Sequence, residues 1–225
     1  AMKTLTLWTI ILVLFSSCSN DEDIASAGSV ESLDTSTNYR KTVISPNNTA
    51  NAYDYAGQLY YDISNSYLVE ENTTGTTAET IAKIETIANK YQEFQAQRPA
   101  TYASPTASRI DNILSNQQLT AVNIISNSSL SAKAKISLTS FLTSLMLYNN
   151  LKADYEDVHQ FIVNYEATIL NDVLTNSNDK RLILTTASIS RYVFYFAKKH
   201  KRKPKDRDWE ISWGHIVAGF DGSED

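Results

Sequence analysis

The stretch Asp179-Lys180-Arg181-Leu182-Ile183-Leu184-Thr185-Thr186-Ala187-Ser188-Ile189-Ser190-Arg191-Tyr192-Val193-Phe194-Tyr195-Phe196-Ala197-Lys198-Lys199-His200-Lys201 decides how this chain folds. Its apolar residues Leu182, Ile183, Leu184, Ala187, Ile189, Val193, Phe194, Phe196 and Ala197 do not keep to one side of a 3.6-residue turn. A helix that is apolar nearly all round has no face left for water and belongs at the centre of a bundle. Pro204 then ends it, because proline lacks the backbone donor a continuing helix needs.

The surrounding segments supply partners for such a centre. Tyr53, Ala56, Tyr60, Ile63 and Tyr67 recur at helical steps, which predicts a helix over about 52–70. Gly75 punctuates the loop Asn72–Thr77, and Ile81, Ile84, Ala88, Tyr91 and Phe94 predict one helix over about 78–97, with Thr77 as its cap. Two such helices joined by a short loop are expected to pair as a hairpin. The prolines of Arg98-Pro99 and Ser104-Pro105 interrupt the pattern, and a short helix is expected over about 106–115. Leu119–Ser128 is apolar but too short to assign. Helices are expected over Ser131–Leu151, with Leu138, Phe141, Leu142 and Leu145 on one side, and over Asp154–Leu174, with Tyr155, Val158, Ile162, Tyr165 and Ile169 inward.

Sustained strand alternation is absent, and the chain has only 6 glycines and 4 prolines. The expectation is an all-α fold, a single helical bundle of about five to seven helices with a disordered N-terminal tether. The expected divisions are residues 1–17 as a leader, 18–51 as a modified cysteine and tether, 52–203 as the bundle, and 204–225 as a linker and aromatic C-terminal segment.

The leader is read from its own chemistry. Met2 is the expected start, with Ala1 an extra residue ahead of it, and Lys3 supplies a positive charge. Leu5–Phe15 is almost wholly apolar but too short to cross roughly 30 Å of hydrocarbon at about 1.5 Å per residue, as suits a secretory signal. Ser16 and Ser17 are small enough for a signal peptidase, and Cys18 is the only cysteine of the chain. Leu14-Phe15-Ser16-Ser17-Cys18 resembles the lipobox of the bacterial lipoprotein family, with Phe15 where that pattern usually has leucine. The resemblance implies cleavage before Cys18, a diacylglycerol anchor with acyl chains such as palmitate on its thiol, and a place in the cell envelope. Asp21-Glu22-Asp23 resembles the acidic export segment of Bacteroidota lipoproteins, which implies the outer membrane. A surface-facing and a periplasm-facing anchor are both open.

Charge is uneven along the chain. Residues 1–179 hold 10 Lys/Arg against 19 Asp/Glu, residues 180–207 hold 10 against 1, and residues 208–225 hold 0 against 5. Six Lys/Arg fall within Lys198–Lys205, more than a helix C-terminus needs to balance its dipole. In an exported protein this run suits an anionic envelope surface or an acidic protein, and no nucleic acid is expected. Trp209, Trp213, Ile216, Val217 and Phe220 follow at steps of three and four. Such a face either meets a membrane or partner, or docks back on the bundle. The candidate binding residues are therefore Lys198, Lys199, Lys201, Arg202, Lys203, Lys205, Trp209, Trp213 and Phe220. Tyr55 and Tyr61 lie off the expected apolar stripe.

Catalytic patterns are sparse. Glu156-x-x-His159 has the spacing of a carboxylate-bundle metal ligand pair, but no second copy accompanies it. There is no Gly-x-Ser-x-Gly elbow, no phosphate-binding glycine loop, and no thiol beyond the one expected to carry lipid. No catalytic residue, metal or cofactor is assigned. The expected function is a non-enzymatic binding or interaction role in the cell envelope; an enzyme or toxin-like factor with a dispersed site is the alternative.

Overall fold

The computed structural model describes residues 44–69, 76–97, 102–200, 216–218 and 220–221. Among these residues the protein is all-α. Eight helices follow in order: α1 Asp54–Val69, α2 Thr77–Ala88, α3 Gln92–Gln97, α4 Ala107–Ser115, α5 Gln117–Asn127, α6 Ala132–Asn150, α7 Tyr155–Asn171 and α8 Ser177–Lys199. A further helical piece covers 216–218 and 220–221. The helix number exceeds the five to seven expected, for two reasons. The single helix expected over 78–97 is two, and the unassigned stretch at 119–128 is α5.

The break in the first case is tertiary. Asn89 caps α2, and Lys90 and Tyr91 make short turns onto the carbonyls of Ile87 and Ala88. The turn lets the Tyr91 hydroxyl reach Ser66 Oγ at 2.6 Å and donate to the Asp62 carbonyl at 3.0 Å. A continuous helix would forgo those bonds, while Phe94 remains in the core on α3. In the second case one residue joins two helices. Asn116, extended at φ −150°, ends α4, and its side chain accepts from Leu119 N to start α5.

Other starts follow capping chemistry. Thr76, not Thr77, caps α2 through a reciprocal box with Glu79; Thr77 instead donates to Asp111 on α4 at 2.6 Å. Thr106, Ser131 and Asn176 cap α4, α6 and α8. α7 stops at Asn171, short of the expected Leu174. Asp172 leaves the helical region and accepts from Leu174 N and Thr175 Oγ1, so Val173 and Leu174 stand exposed.

α8 is the centre, as its composition demands. Sixteen of its 23 residues are buried, including polar Thr185, Thr186, Ser188, Ser190 and Arg191. Its main neighbours are α1 and α7. The α1–α8 contacts advance together, from Gly57 with Ser188 to Asn65 with His200, so the two helices run parallel. Those to α7 run oppositely, from Leu170 with Lys180 to Tyr155 with Tyr195. α1 does touch α2 as a hairpin would, but α8 is its dominant partner.

The α1–α8 approach depends on Gly57. A Cβ there would lie 2.2 Å from Tyr192 Cδ2 and 2.7 Å from the Ser188 carbonyl oxygen. The bare backbone lets Gly57 N donate to Ser188 Oγ at 3.2 Å, while that hydroxyl donates to the Asp54 carbonyl at 3.1 Å. α6 closes over α7 through Phe141, stacked on Tyr165 with centroids 4.2 Å apart.

Candidate functional site

The most deeply buried charges, Arg191 and Glu166, meet where the lead-in to α1 crosses α7 and α8. Arg191 and Glu166 have fully buried side chains. Arg191 Nε donates to Glu166 Oε2 at 3.0 Å and its NH2 to Oε1 at 3.1 Å. The same NH2 meets Asp54 Oδ1 at 2.5 Å, and NH1 donates to the Pro46 carbonyl. Asn48 and Asn51 donate to the two Glu166 oxygens at 2.7 and 2.6 Å, and Asn51 also reaches the Leu184 carbonyl at 2.9 Å. Tyr192 closes the outer side on Gln58 and Asn47.

Burial pushes the Glu166 carboxyl upward, but each of its hydrogen bonds comes from a donor, and Arg191 supplies a permanent positive charge. Burial alone would lower the Arg191 guanidinium; Glu166 and Asp54 more than offset it and hold it raised. The pair is thus an ionised clasp with its lone pairs and protons satisfied. It fastens residues 46–54 to the bundle and offers no open position to a reactant.

Two polar atoms beside the clasp lack partners. Tyr155 Oη and His159 Nε2 are buried and bond to none of the described residues. Burial lowers the His159 pKa, the nearby Arg191 charge lowers it further, and the Ser45 backbone pulls it back. Burial likewise raises the Tyr155 hydroxyl. The Glu156-x-x-His159 spacing leads to no ligand set, since no group of three or more His, Cys, Asp or Glu among the described residues could hold a metal ion.

The basic end of α8 is exposed at Lys198 and Lys199. Lys199 Nζ sits 2.5 Å from the Tyr61 hydroxyl and over the Tyr61 and Tyr195 rings at 5.2 and 5.9 Å. The hydrogen bond to Tyr61 raises its pKa. Tyr61 is therefore a packing residue against Tyr192, Tyr195 and Phe196, whereas Tyr55 is 43% exposed. Cys18, Lys201, Arg202, Lys203, Lys205, Trp209 and Trp213 lie outside the described residues. Phe220 is 1% exposed and shares the core with Ile216 and Val217. Its ring docks on the bundle and is removed from the candidate binding surface.

The open concavities lie elsewhere, on α4, α5 and the end of α6. A recess of about 530 Å³ is lined by Arg109, Asn112, Asn116, Asn123 and Asn127, with Leu119 and Ile124 as its apolar part. A second, of about 730 Å³, runs from Ala103 to Thr106 and shares Arg109 and Asn112 with the first. A third, of about 360 Å³, shares Asn116 and extends over Gln117, Gln118, Met146 and Asn149. Arg109 is bound through Nε and NH2 to Asp221 of the C-terminal piece, so the charge inside the recess is neutralised. Asn112, Asn116, Asn123 and Asn127 are exposed, and the amides of Asn112 and Asn123 bond to no other described residue. Asn149 Oδ1 is buried and equally without a donor among them, at a cost of about 1–3 kcal/mol for such a group.

The chain matches no protein-family model, no curated protein and no solved structure. Neither the clasp nor the amide-lined recess follows from a sequence motif. The one signal for the clasp is Arg191 itself, a charge in the middle of a helix otherwise buried on every side, which must be paired. For the recess, the signal is asparagine repeated at intervals of four, at 112 and 116 and at 123 and 127.

Proposed function

We propose that this chain is a cell-envelope lipoprotein, anchored through lipid on Cys18, whose helical body binds a partner without catalysing a reaction. One contrast carries the binding half. Arg191, Glu166 and Asp54 are engaged with each other in a closed clasp, while the open recesses hold one ion pair, Arg109 with Asp221, and are otherwise lined by uncharged groups, asparagine and glutamine amides foremost. Such groups recognise through hydrogen bonds; they neither donate nor accept a proton near neutral pH.

The anchoring half is supported by Lys3, the apolar run Leu5–Phe15, the small Ser16 and Ser17, and a lone cysteine directly after them. Asp21-Glu22-Asp23 favours the outer membrane. Among the described residues no helix is long and apolar enough to cross a membrane, and a lipid anchor requires none. The basic run from Lys198 to Lys205, with Trp209 and Trp213, is the segment proposed to meet an anionic envelope surface or an acidic protein.

The test is metabolic labelling with an alkynyl palmitate followed by mass spectrometry of the mature N-terminus. Lipid on Cys18 as the first residue is expected, with Cys18→Ser released to the soluble fraction. An unmodified cysteine or a different first residue would overturn the anchor. For the basic run, changing Lys198, Lys199, Lys201, Arg202 and Lys203 to Ser is expected to lower retention on envelope fractions with helix content preserved; unchanged retention refutes it.

A further inference from the structure

We propose that the exposed side of the α5–α6 hairpin, with the Val173-Leu174 turn beside it, is a second membrane contact that lays the body on an anionic phospholipid surface. The proposal goes beyond the binding role above and rests on it for one thing, the nearness of a bilayer that an anchor on Cys18 brings.

The apolar residues come first. Ile136, Ser140, Thr143, Leu147 and Leu151 follow at steps of three and four, so they share one side of α6 and its cap over about 22 Å. All five are exposed. α5 runs antiparallel beside α6. Lys135 Nζ donates to the Ser126 carbonyl at 2.8 Å at one end, and Gln117 and Gln118 share a recess with Met146 and Asn149 at the other. Leu119, Val122 and Ser126 form an exposed row on α5. Lys133 pairs with Asp172 at 2.5 Å, which sets the turn after α7 at the start of α6. On that turn Val173 and Leu174 are 91% and 81% exposed. Seven of the ten large apolar side chains exposed among the described residues thus fall on this hairpin and its adjoining turn.

Charge selects the occupant. Residues 112–153 contain three lysines and no Asp or Glu, in a chain with 25 acids. Asp111 on α4 and Asp154 before α7 bound the stretch. The carboxylates brought to it from elsewhere, Asp172 beside α6 and Asp221 in the recess lined by Leu119, are paired with Lys133 and Arg109. The hairpin itself sets no carboxylate against an anionic headgroup, while Lys133, Lys135 and Lys152 attract one. α2 and α3, by contrast, carry Glu79, Glu85 and Glu93.

Form agrees with a fluid partner. Ile136, Leu147, Leu151, Val173 and Leu174 line none of the recesses described above. They project from a surface otherwise made of Ser, Thr and Asn. A folded partner needs hollows matched to each side chain, whereas the headgroup and acyl boundary moulds itself around them. Reach is no obstacle: the 26 steps from Cys18 to Ile44 extend to at most about 90 Å, enough to bring any face of a domain this size to the bilayer.

Residues 18–225, which keep every described residue, are made with Cys18→Ser and an N-terminal hexahistidine tag. The tag holds them on vesicles containing a nickel-chelating lipid, so the fate of the anchor does not enter. An NBD fluorophore is attached at Leu147→Cys or, as control, at Thr86→Cys, exposed on α2, which packs on α1 and α4. On vesicles of equal parts phosphatidylcholine and phosphatidylglycerol the probe at 147 is expected to brighten severalfold and shift to the blue, with the probe at 86 unchanged. Phosphatidylcholine alone should give a clearly smaller rise. Ile136→Ser/Val173→Ser/Leu174→Ser, all at exposed positions and so expected to melt as the parent does by circular dichroism, should remove most of the rise. Serine at Lys198, Lys199, Lys201, Arg202 and Lys203 should leave it in place, which separates this face from the basic run. No rise at 147, an equal rise at 86, an equal rise on phosphatidylcholine alone, or a rise that needs the basic run overturns the proposal. So does a rise without vesicles as protein concentration increases, which would mean that a second copy covers the face. Failure of the anchor shows instead in the labelling of Cys18, so the two are separately visible.

Discussion

Arg191 of α8 and Glu166 of α7, 25 positions apart, meet through two N–H···O contacts at 3.0 and 3.1 Å with neither side chain reaching solvent. Because Asn48, Asn51, Asp54 and Pro46 bind the same pair, the clasp fixes the segment that precedes α1. Removing one partner leaves a buried charge uncompensated. Glu166→Gln and Arg191→Met are each expected to cost about 3–5 kcal/mol in urea unfolding, and the double variant clearly less than their sum. Additive losses would mean that the two side chains act independently.

Gly57 tests the approach of α1 to α8. An added methyl meets the Ser188 backbone carbonyl, which cannot swing away as a side-chain tip could. Gly57→Ala is expected to destabilise by about 3 kcal/mol, even though alanine is the better helix former, and to lower Tm by roughly 6–12 °C. A stabilised variant in thermal melts would show that the helices are not in this contact.

Lys152 ends α6 in the left-handed region at φ 54°. Lys152 N and Ala153 N bond back to the Asn149 and Tyr148 carbonyls, the pattern in which glycine is normally found. Lys152→Gly is expected to stabilise by about 1 kcal/mol, or roughly 2–4 °C in Tm. A loss of stability by calorimetry would show that the lysine side chain contributes something beyond its backbone.

His159 gives stability a pH dependence of definite sign. Its pKa is lowered in the folded state, first by burial and then by Arg191. Between that lowered value and the unfolded value near 6.5, the unfolded chain binds more protons, so stability rises with pH. The contribution is present above about pH 6.5 and is lost as pH falls through the folded pKa. The urea midpoint of the natural chain should fall more between pH 7 and pH 5.5 than that of His159→Gln. Equal falls would remove His159 as the cause.

Much of the helical layout is legible in the sequence. The periodicities of Tyr53 to Tyr67 and of Leu138 to Leu145 placed α1 and α6 closely, because a helix is set by residues three and four apart. The all-round apolar run at 182–197 placed α8 at the centre for a similar reason: composition tells how much of a helix must avoid water. It could not tell that α2 ends at Ala88, since the turn there answers to Tyr91 reaching Asp62 and Ser66, 29 and 25 positions back.

What the sequence by itself determined is therefore the all-α class, most helix spans and the central place of α8. Tertiary structure alone decided that α1 lies parallel to α8 against Gly57, that Arg191 clasps Glu166 with the residues before α1, and that open recesses lie over α4 and α5. The physical reason is range. Turns and caps are fixed by neighbours within a few positions, whereas Asn51 reaches Leu184 across 133 positions, and a chain read in one dimension holds no record of that distance being closed.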